Sequence, residues 1–374
     1  MLPYGRQSIS EEDVAAVADV LRGDWLTTGP AVARFDADLA EWSGGAECVS
    51  VTSGTAALHT AYAACGVGRG DHVVTTPMTF VATAATAIAL GATVSFADVD
   101  PETALLDPIA ARSAVRPETK VITAVDFAGH PADHDALRTV AHDAGAYLLV
   151  DAAHAIGSRY KGRLVGSTSD VTTYSFFPTK NMTTAEGGAV ASPHDEIVLA
   201  ARRFRSHGLI RDRAEMRYRD EGNWHQEVHT FGLNYRLPDV LCALGSAQLR
   251  RLGKFVARRA ELVARYQQLL ADVGGLALPV QHPDVEPAWH LFAVRILDGR
   301  RREVYEKMHA AGIGVQVNYI PAYWHPVFED MGYRRGMCPN AETYYQQELS
   351  LPLFPDLSDA QQDMVVDALR TALG

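Results

Sequence analysis

Tyr147-Leu148-Leu149-Val150-Asp151-Ala152-Ala153-His154 opens as a short run of β-forming apolar residues and is closed by a carboxylate. Its length suits a strand buried on both faces better than a helix, which needs ten residues or more. Comparable runs lie on either side, at 48–52, 72–76, 93–97 and 121–125 before it and at 172–176 and 188–191 after it. Between the first five strand candidates, 56–65, 79–90, 104–115 and 132–144 have the alanine-rich texture of helices. Strand alternating with helix predicts an α/β domain: an open, mostly parallel sheet of seven strands with helices on both faces. Ligands of such sheets collect beyond the carboxyl ends of the strands, and Asp151 stands at one of those ends.

The chain has 374 residues, long enough for a large domain and a smaller satellite. After Pro238 the pattern becomes a long amphipathic stretch, 239–273, closed by Gly274-Gly275. Beyond it lie strand candidates at 289–296 and 314–319 and helices at 302–311, 340–349 and 359–373, a compact α+β unit. The boundary is therefore set at 1–245 for the N-terminal segment and large domain, and 246–374 for the linking helix and small domain. The longest apolar run, 81–90, is broken by threonines and is too short for a bilayer span. Met1 to Arg6 has no apolar signal core, and Glu11-Glu12-Asp13 follows, so a cytoplasmic location is expected. A formal charge of −11 argues against nucleic acid or an anionic membrane as partner. The one basic cluster, from Arg250 to Arg259, has the spacing of a solvated helix face. Four cysteines lie far apart, and the histidine pairs His130/His134 and His225/His229 bring no third ligand, so no metal site is expected.

Only five lysines occur, at positions 120, 161, 180, 254 and 307. Four sit before a strand, in a turn or on charged helix faces. Lys180 differs: it follows Tyr174-Ser175-Phe176 and the uncharged Phe177-Pro178-Thr179, and precedes Asn181-Met182-Thr183-Thr184-Ala185-Glu186-Gly187-Gly188. A small-residue loop lets another group come close to the backbone. A lysine that condenses with a carbonyl must first lose its proton, which partial burial promotes. Asp151 either caps the next helix or points into the ligand crevice. In the second case it could pair with a pyridine nitrogen, at roughly 4 kcal/mol of attraction for a 4 Å pair near the protein surface. Thr52-Ser53-Gly54-Thr55 lies between a strand and a helix. It is either a plain N-cap or an anion site, with free N–H groups at the helix start, Ser53 and Thr55 hydroxyls, and Gly54 admitting a phosphate.

With these elements in order, the chain resembles the DegT/StrS sugar aminotransferases, a branch of the aspartate-aminotransferase fold. The likeness runs through Asp24-Trp25-Leu26-Thr27-Thr28-Gly29-Pro30, Thr52 to Leu58, Met78-Thr79-Phe80-Val81-Ala82-Thr83, Asp151 to Ala155, Ser175 to Lys180, Glu186-Gly187-Gly188, Arg205-Ser206-His207-Gly208, Gly232-Leu233-Asn234-Tyr235-Arg236 and Tyr319-Ile320-Pro321. It implies the three-layer pyridoxal-phosphate (PLP) transferase fold of type I. It further implies PLP as cofactor, alternating with pyridoxamine 5'-phosphate, and Lys180 as its Schiff-base lysine and proton shuttle. Asp151 resembles the partner of the pyridine nitrogen, His154 the residue near the ring and its phenolic oxygen, and Phe80 the aromatic stacked on the ring. Ser53, Gly54, Thr55 and Ser175 match the phosphate cradle. Asn234 resembles a residue reaching that phosphate from a neighbouring subunit, which implies a homodimer with shared active sites. Thr27, Thr184, His207, Tyr319 and His325 fall where substrate contacts are expected.

Within the family, Gly312 to Pro321 and Cys338 to Glu342 look like the enzymes that aminate C-4 of a UDP-linked 4-keto-6-deoxy sugar in the pseudaminic-acid pathway. The implied reaction moves an amino group from L-glutamate to a nucleotide-linked keto-deoxysugar, UDP- or dTDP-linked. A sugar dehydratase of this fold and a non-catalytic PLP-binding regulator are the alternatives. The first commonly has histidine where Lys180 stands, and the second needs an appended DNA-binding segment.

Overall fold

A computed structural model describes the whole chain, Met1–Gly374. All seven runs read as strands of the large sheet form strands: β1 (Glu47–Val51), β2 (His72–Thr75), β3 (Thr93–Phe96), β4 (Thr119–Val125), β5 (Tyr147–Asp151), β6 (Val171–Ser175) and β7 (Gly188–Ser192). They build one sheet in the order β1-β7-β6-β5-β4-β2-β3. Only β7 runs against its neighbours, β1 and β6. The remaining pairs are parallel. A strand antiparallel to both β1 and β6 leaves those two pointing the same way, so the carboxyl ends of β1, β5 and β6 and the amino end of β7 share one edge. That edge carries the site.

The strands are buried along nearly their whole length because helices cover both faces. Two helices not singled out in the sequence come first: α1 (Glu11–Arg22) and α2 (Pro30–Trp42). α1 starts on a capping box in which Ser10 and Asp13 satisfy each other's backbone N–H. α2 starts on Pro30, and Asp239, distant in sequence, accepts from the N–H of Gly29 and Ala31 at 2.8 and 2.9 Å. α3 (Gly54–Ala64), α4 (Ala82–Ala89), α5 (Pro108–Ala114), α6 (His134–Asp143) and α7 (Asp195–Phe204) follow. α5 is shorter than the 104–115 expected: Asp107 caps it, Pro108 occupies its first position, and Leu106 is already paired in an extended bridge with Val99.

The 32-residue α8 (Asp239–Leu270) runs between two apolar cores. Leu249 and Leu252 belong to the larger, with Phe35, Tyr62 and Phe176. Leu262, Val263, Tyr266 and Leu270 belong to the smaller. The smaller core packs on an antiparallel sheet of β8 (Leu276–Ala277), β9 (Phe292–Ile296) and β10 (Glu348–Leu351), with α9 (Arg301–Ala310) and, after α10 (Pro326–Asp330) and α11 (Pro339–Gln347), α12 (Asp359–Leu373). Two expectations are corrected here. The helix expected over 340–349 stops at Gln347, because Glu348 to Leu351 pair with β9. The strand expected over 314–319 does not form. Apart from a bridge between Gln316 and Ser350, its ladder is broken where the Asn318 N–H donates to the buried Glu348 carboxyl at 2.6 Å.

Arg259, in the middle of α8, is fully buried with no acid beside it. Its Nη1 donates to the carbonyls of Trp289, His290 and Leu353 at 3.0 to 3.3 Å, and burial pushes its pKa down to about 10. It pins to α8 the segment that carries His290. Replacing Arg259 by alanine strands three buried acceptors at about 1–3 kcal/mol each. The variant should therefore unfold at clearly lower urea, with a deficit of about 3 kcal/mol or more. An unchanged midpoint by circular dichroism would show that these carbonyls find other donors.

Candidate active site

Asp151 ends β5, buried beneath the sheet edge. One of its oxygens, Oδ2, accepts from the Thr83 hydroxyl at 2.8 Å, and the other, Oδ1, from the Ala153 N–H at 3.1 Å. Lys180 lies on the loop that returns from β6 to β7. That loop is held shut by bonds from the N–H groups of Phe176 and Thr184 to the carbonyls of Gly187 and Phe176, and by Asn181 donating to the Ala288 carbonyl. Lys180 and Asp151 face one cavity of about 460 Å³. Neither makes a salt bridge. Burial pushes the Lys180 amine down to about 8, with the Asp151 charge opposing it, and burial raises the Asp151 carboxyl against its hydrogen-bond donors. A lysine so placed is partly unprotonated, and so nucleophilic, near neutral pH.

Beside them the chain leaves β1 and enters α3. Ser53 caps the helix by accepting from the Ala56 N–H at 3.0 Å, which leaves the N–H groups of Gly54 and Thr55 at the positive end of the helix dipole. Ser175, at the end of β6, stands opposite. A Cβ on Gly54 would lie 2.8 Å from that of Ser175, so only glycine allows the helix start and strand end to close on each other. Gly188 has a similar reason, since a Cβ there would meet the Ser53 carbonyl at 2.4 Å.

The opposite wall is aromatic. The N–H of Ala128 donates to Nδ1 of His154 at 3.3 Å, so the neutral ring carries its proton on Nε2 and donates it to the Tyr319 hydroxyl at 3.0 Å. Burial, then the nearby Lys180 charge, keeps His154 neutral far below its usual range. The His290 ring lies 4.3 Å from it, and Phe80, 60% exposed, faces Tyr319 across 6.3 Å.

Of the residues singled out in the sequence, Ser53, Gly54, Thr55, Phe80, Asp151, His154, Ser175, Lys180 and Tyr319 line this one cavity. Four others do not. Thr27, His207 and Asn234 belong to another surface, where Asn234 bridges Ser206, the His207 N–H donates to the Leu233 carbonyl, and Thr28, next to Thr27, lines a separate cavity with Arg205, Ser206 and Arg236. His325 sits at the start of α10, outside the lining. A fifth, Thr184, is buried outside the lining, its hydroxyl donating to the Glu186 carbonyl. Tyr4, Thr173, His290, Gln316 and Asn318 line the cavity without having been foreseen. They arrive from the N-terminus, the middle of a strand and the small unit, where no local pattern marks them. No three histidine, cysteine or acidic side chains are grouped to hold a metal ion.

These residues fit a phosphorylated pyridine aldehyde. Gly54 and Ser175, closely packed at the helix start, would cradle its phosphate, Asp151 is a buried carboxylate without a cation partner, the Lys180 amine has no hydrogen-bond acceptor in the chain, and the buried Thr173 hydroxyl beside Asp151 has no partner.

A family model described as the DegT/DnrJ/EryC1/StrS aminotransferase family matches residues 7–370. The chain is 39% identical over 375 residues to the spore coat polysaccharide biosynthesis protein SpsC of Bacillus subtilis (strain 168), across 99% of this chain and 96% of that protein. Spr1654 of Streptococcus pneumoniae, solved in a PMP-form, superposes with a TM-score of 0.93 at 28% identity, across 100% of this chain and 99% of the other. The same protein has been solved in a PLP-form. Helicobacter pylori PseC, an aminotransferase involved in the biosynthesis of pseudoaminic acid, superposes with a TM-score of 0.92 at 27% identity, across 100% of this chain and 99% of that one.

The lowered pKa of Lys180 can be read directly. Amine-selective acetylation of the cofactor-free protein, followed peptide by peptide in a mass spectrometer, should reach its half-maximal rate near pH 8 at Lys180. In Asp151→Asn the midpoint should fall further, because the one charge that favours the ammonium is gone. A midpoint near the ordinary lysine value of about 10.4 would refute the buried-amine description.

Proposed function

The chain belongs to the DegT/DnrJ/EryC1/StrS aminotransferase family, and from that premise we propose that it binds pyridoxal 5'-phosphate at Lys180 and moves an amino group from L-glutamate to a nucleotide-linked keto-deoxysugar. Its fold is that of the PLP aminotransferases. The observation that carries the reading is the meeting of Lys180, Asp151 and the α3 cradle in a single cavity. When bound there, the cofactor supplies an electron sink that acidifies the carbon bearing the amino group.

The rest is done by the chain. The N–H groups of Gly54 and Thr55 and the hydroxyls of Thr55 and Ser175 would hold the phosphate. Asp151 would offer an oxygen to the ring nitrogen. Phe80 would stand on one side of the ring. Lys180 Nζ, with its depressed pKa, takes and returns the proton of the reacting carbon. His154 donates from Nε2 to Tyr319, whose own O–H is then free to turn towards an oxygen in the cavity.

Support for a sugar acceptor comes from relatives that serve polysaccharide and pseudoaminic acid biosynthesis. A 4-keto-6-deoxy sugar on UDP or dTDP is the acceptor we favour. Lys180 argues against the dehydratase alternative, since its amine is the group that alternative lacks.

The reading includes a homodimer. Thr27, His207 and Asn234 lie apart from the Lys180 cavity, on a surface where Phe231 is 95% and Trp224 84% exposed. Aromatic side chains left bare to that degree are suited to cover by a second copy, and such a copy would bring Asn234 to the other chain's phosphate.

Lys180→Ala should abolish both the visible absorbance of the purified protein and, by mass, the amination of UDP- and dTDP-linked 4-keto sugars with glutamate as donor. Retained turnover in that variant would overturn the reading. Phe231→Glu should convert a sedimenting dimer to monomer and lose activity in parallel. A monomeric wild type would end the shared-site reading while leaving the chemistry at Lys180 standing.

A further inference from the structure

Beside Asp151, lining the same cavity, runs a pair of hydroxyls that the chemistry above does not use. Thr79 Oγ1 lies 2.7 Å from Thr83 Oγ1, and Thr83 Oγ1 lies 2.8 Å from Asp151 Oδ2. All three side chains are buried. An ionised carboxylate only accepts, so the Thr83 proton must point at Asp151. The Thr79 hydroxyl, in turn, must donate to Thr83. The direction of the whole chain is therefore set by the charge at its end. Thr83 stands in the first turn of α4 and Thr79 in the bend before it, and the Tyr62 hydroxyl pins that turn by donating to the Thr83 carbonyl at 2.9 Å. The Thr83 N–H donates to the Phe80 carbonyl, so the same turn that aims a hydroxyl at Asp151 also carries the exposed aromatic wall.

We propose that Thr83, backed by Thr79, is the positioning residue that holds the Asp151 carboxylate in one orientation against the ring nitrogen of bound pyridoxal phosphate. The inference rests on the PLP reading of the cavity. Its physical basis is that Asp151 has few other supports. Burial raises its carboxyl, and the forces that oppose this are first the Thr83 hydroxyl, then the Ala153 N–H, then the Lys180 charge, while Asp126 adds to the rise. Tyr62 on α3 and Tyr319 on the far wall both feel the Asp151 charge, yet neither donates to it. Two donors on two different oxygens leave each oxygen a lone pair and stop the carboxylate from rotating about its bond to Cβ. A hydrogen bond to a charged group is among the stronger kinds, and its loss in a buried place is correspondingly felt. Without Thr83, the acid would more readily take up a proton of its own. The ring nitrogen would then face a neutral carboxyl rather than an anion.

The test uses the full-length protein and the variants Thr83→Val, Thr83→Ser and Thr79→Val, with pyridoxal 5'-phosphate labelled with 15N in the ring as probe. Thr83→Val keeps the shape and removes the donor. Its affinity for the probe should fall roughly tenfold or more. In the ring 15N spectrum, the nitrogen should lose its proton at lower pH than in wild type. Turnover should show lower kcat with little change in the KM for glutamate. Thr83→Ser, which keeps the hydroxyl, should restore all three. Thr79→Val, which removes only the outer donor and spares the packing if Thr83→Val fails to fold, should move the same readouts in the same direction by less. Wild-type affinity and wild-type ring titration in Thr83→Val, or an equal loss in Thr83→Ser, would overturn this inference alone. A wild-type protein that takes up no pyridoxal phosphate would overturn the reading of the cavity, and this inference with it.

Discussion

The site depends on keeping an amine and a carboxylate in one buried space without letting them neutralise each other. Lys180 and Asp151 share a cavity, yet no salt bridge joins them. A direct pair would satisfy both groups and leave nothing for a ligand. Held apart, each remains available: the amine is drawn towards its neutral form by burial, and the carboxylate is retained by its hydrogen-bond donors against the same burial. The opposed shifts arise from one cause, removal of water, acting on groups of opposite charge.

The sheet supplies the separation. β5 delivers Asp151, β6 delivers Ser175 and the loop to Lys180, and β1 delivers the start of α3, all at one edge because β7 alone is reversed. Reversal of β7 also brings Gly188 against Ser53, so the loop bearing Lys180 is closed by backbone packing that tolerates no side chain. Strands buried on both faces cannot slide without exposing their apolar residues, which fixes these ends relative to one another.

The smaller unit completes the wall rather than standing aside. Glu348 at the head of β10 diverts the backbone N–H of Asn318 from the ladder, and Tyr319 then meets His154. Burial raises the Glu348 carboxyl to about 8, as expected of an acid whose partners are an N–H and a hydroxyl and not a cation. Arg259 ties the His290 segment to α8 from the other side. The aromatic face of the cavity therefore depends on contacts between segments far apart in the chain.

The amino-acid sequence determined by itself whatever could be read from local pattern. Seven short runs of apolar and β-branched residues with helices between most of them specified the sheet, since such residues suit a strand covered on both faces. Lys180 stood out among five lysines by its uncharged flank, Asp151 by its place at a strand end, and Gly54 by its place before a helix. Local pattern failed where a long-range contact decided. The run at 314–319 has the composition of a strand and was kept from forming one by Glu348. The end of the helix expected over 340–349 was drawn into a strand by β9. Thr184, expected from the resemblance among the substrate contacts, is buried and bonded to Glu186. Tyr4, Thr173 and His290 carry no signature in their own neighbourhoods. Their roles come from which strand or helix end they are packed against, and only tertiary structure decides that, because hydrogen-bond donors and buried charges find their partners across space and not along the chain.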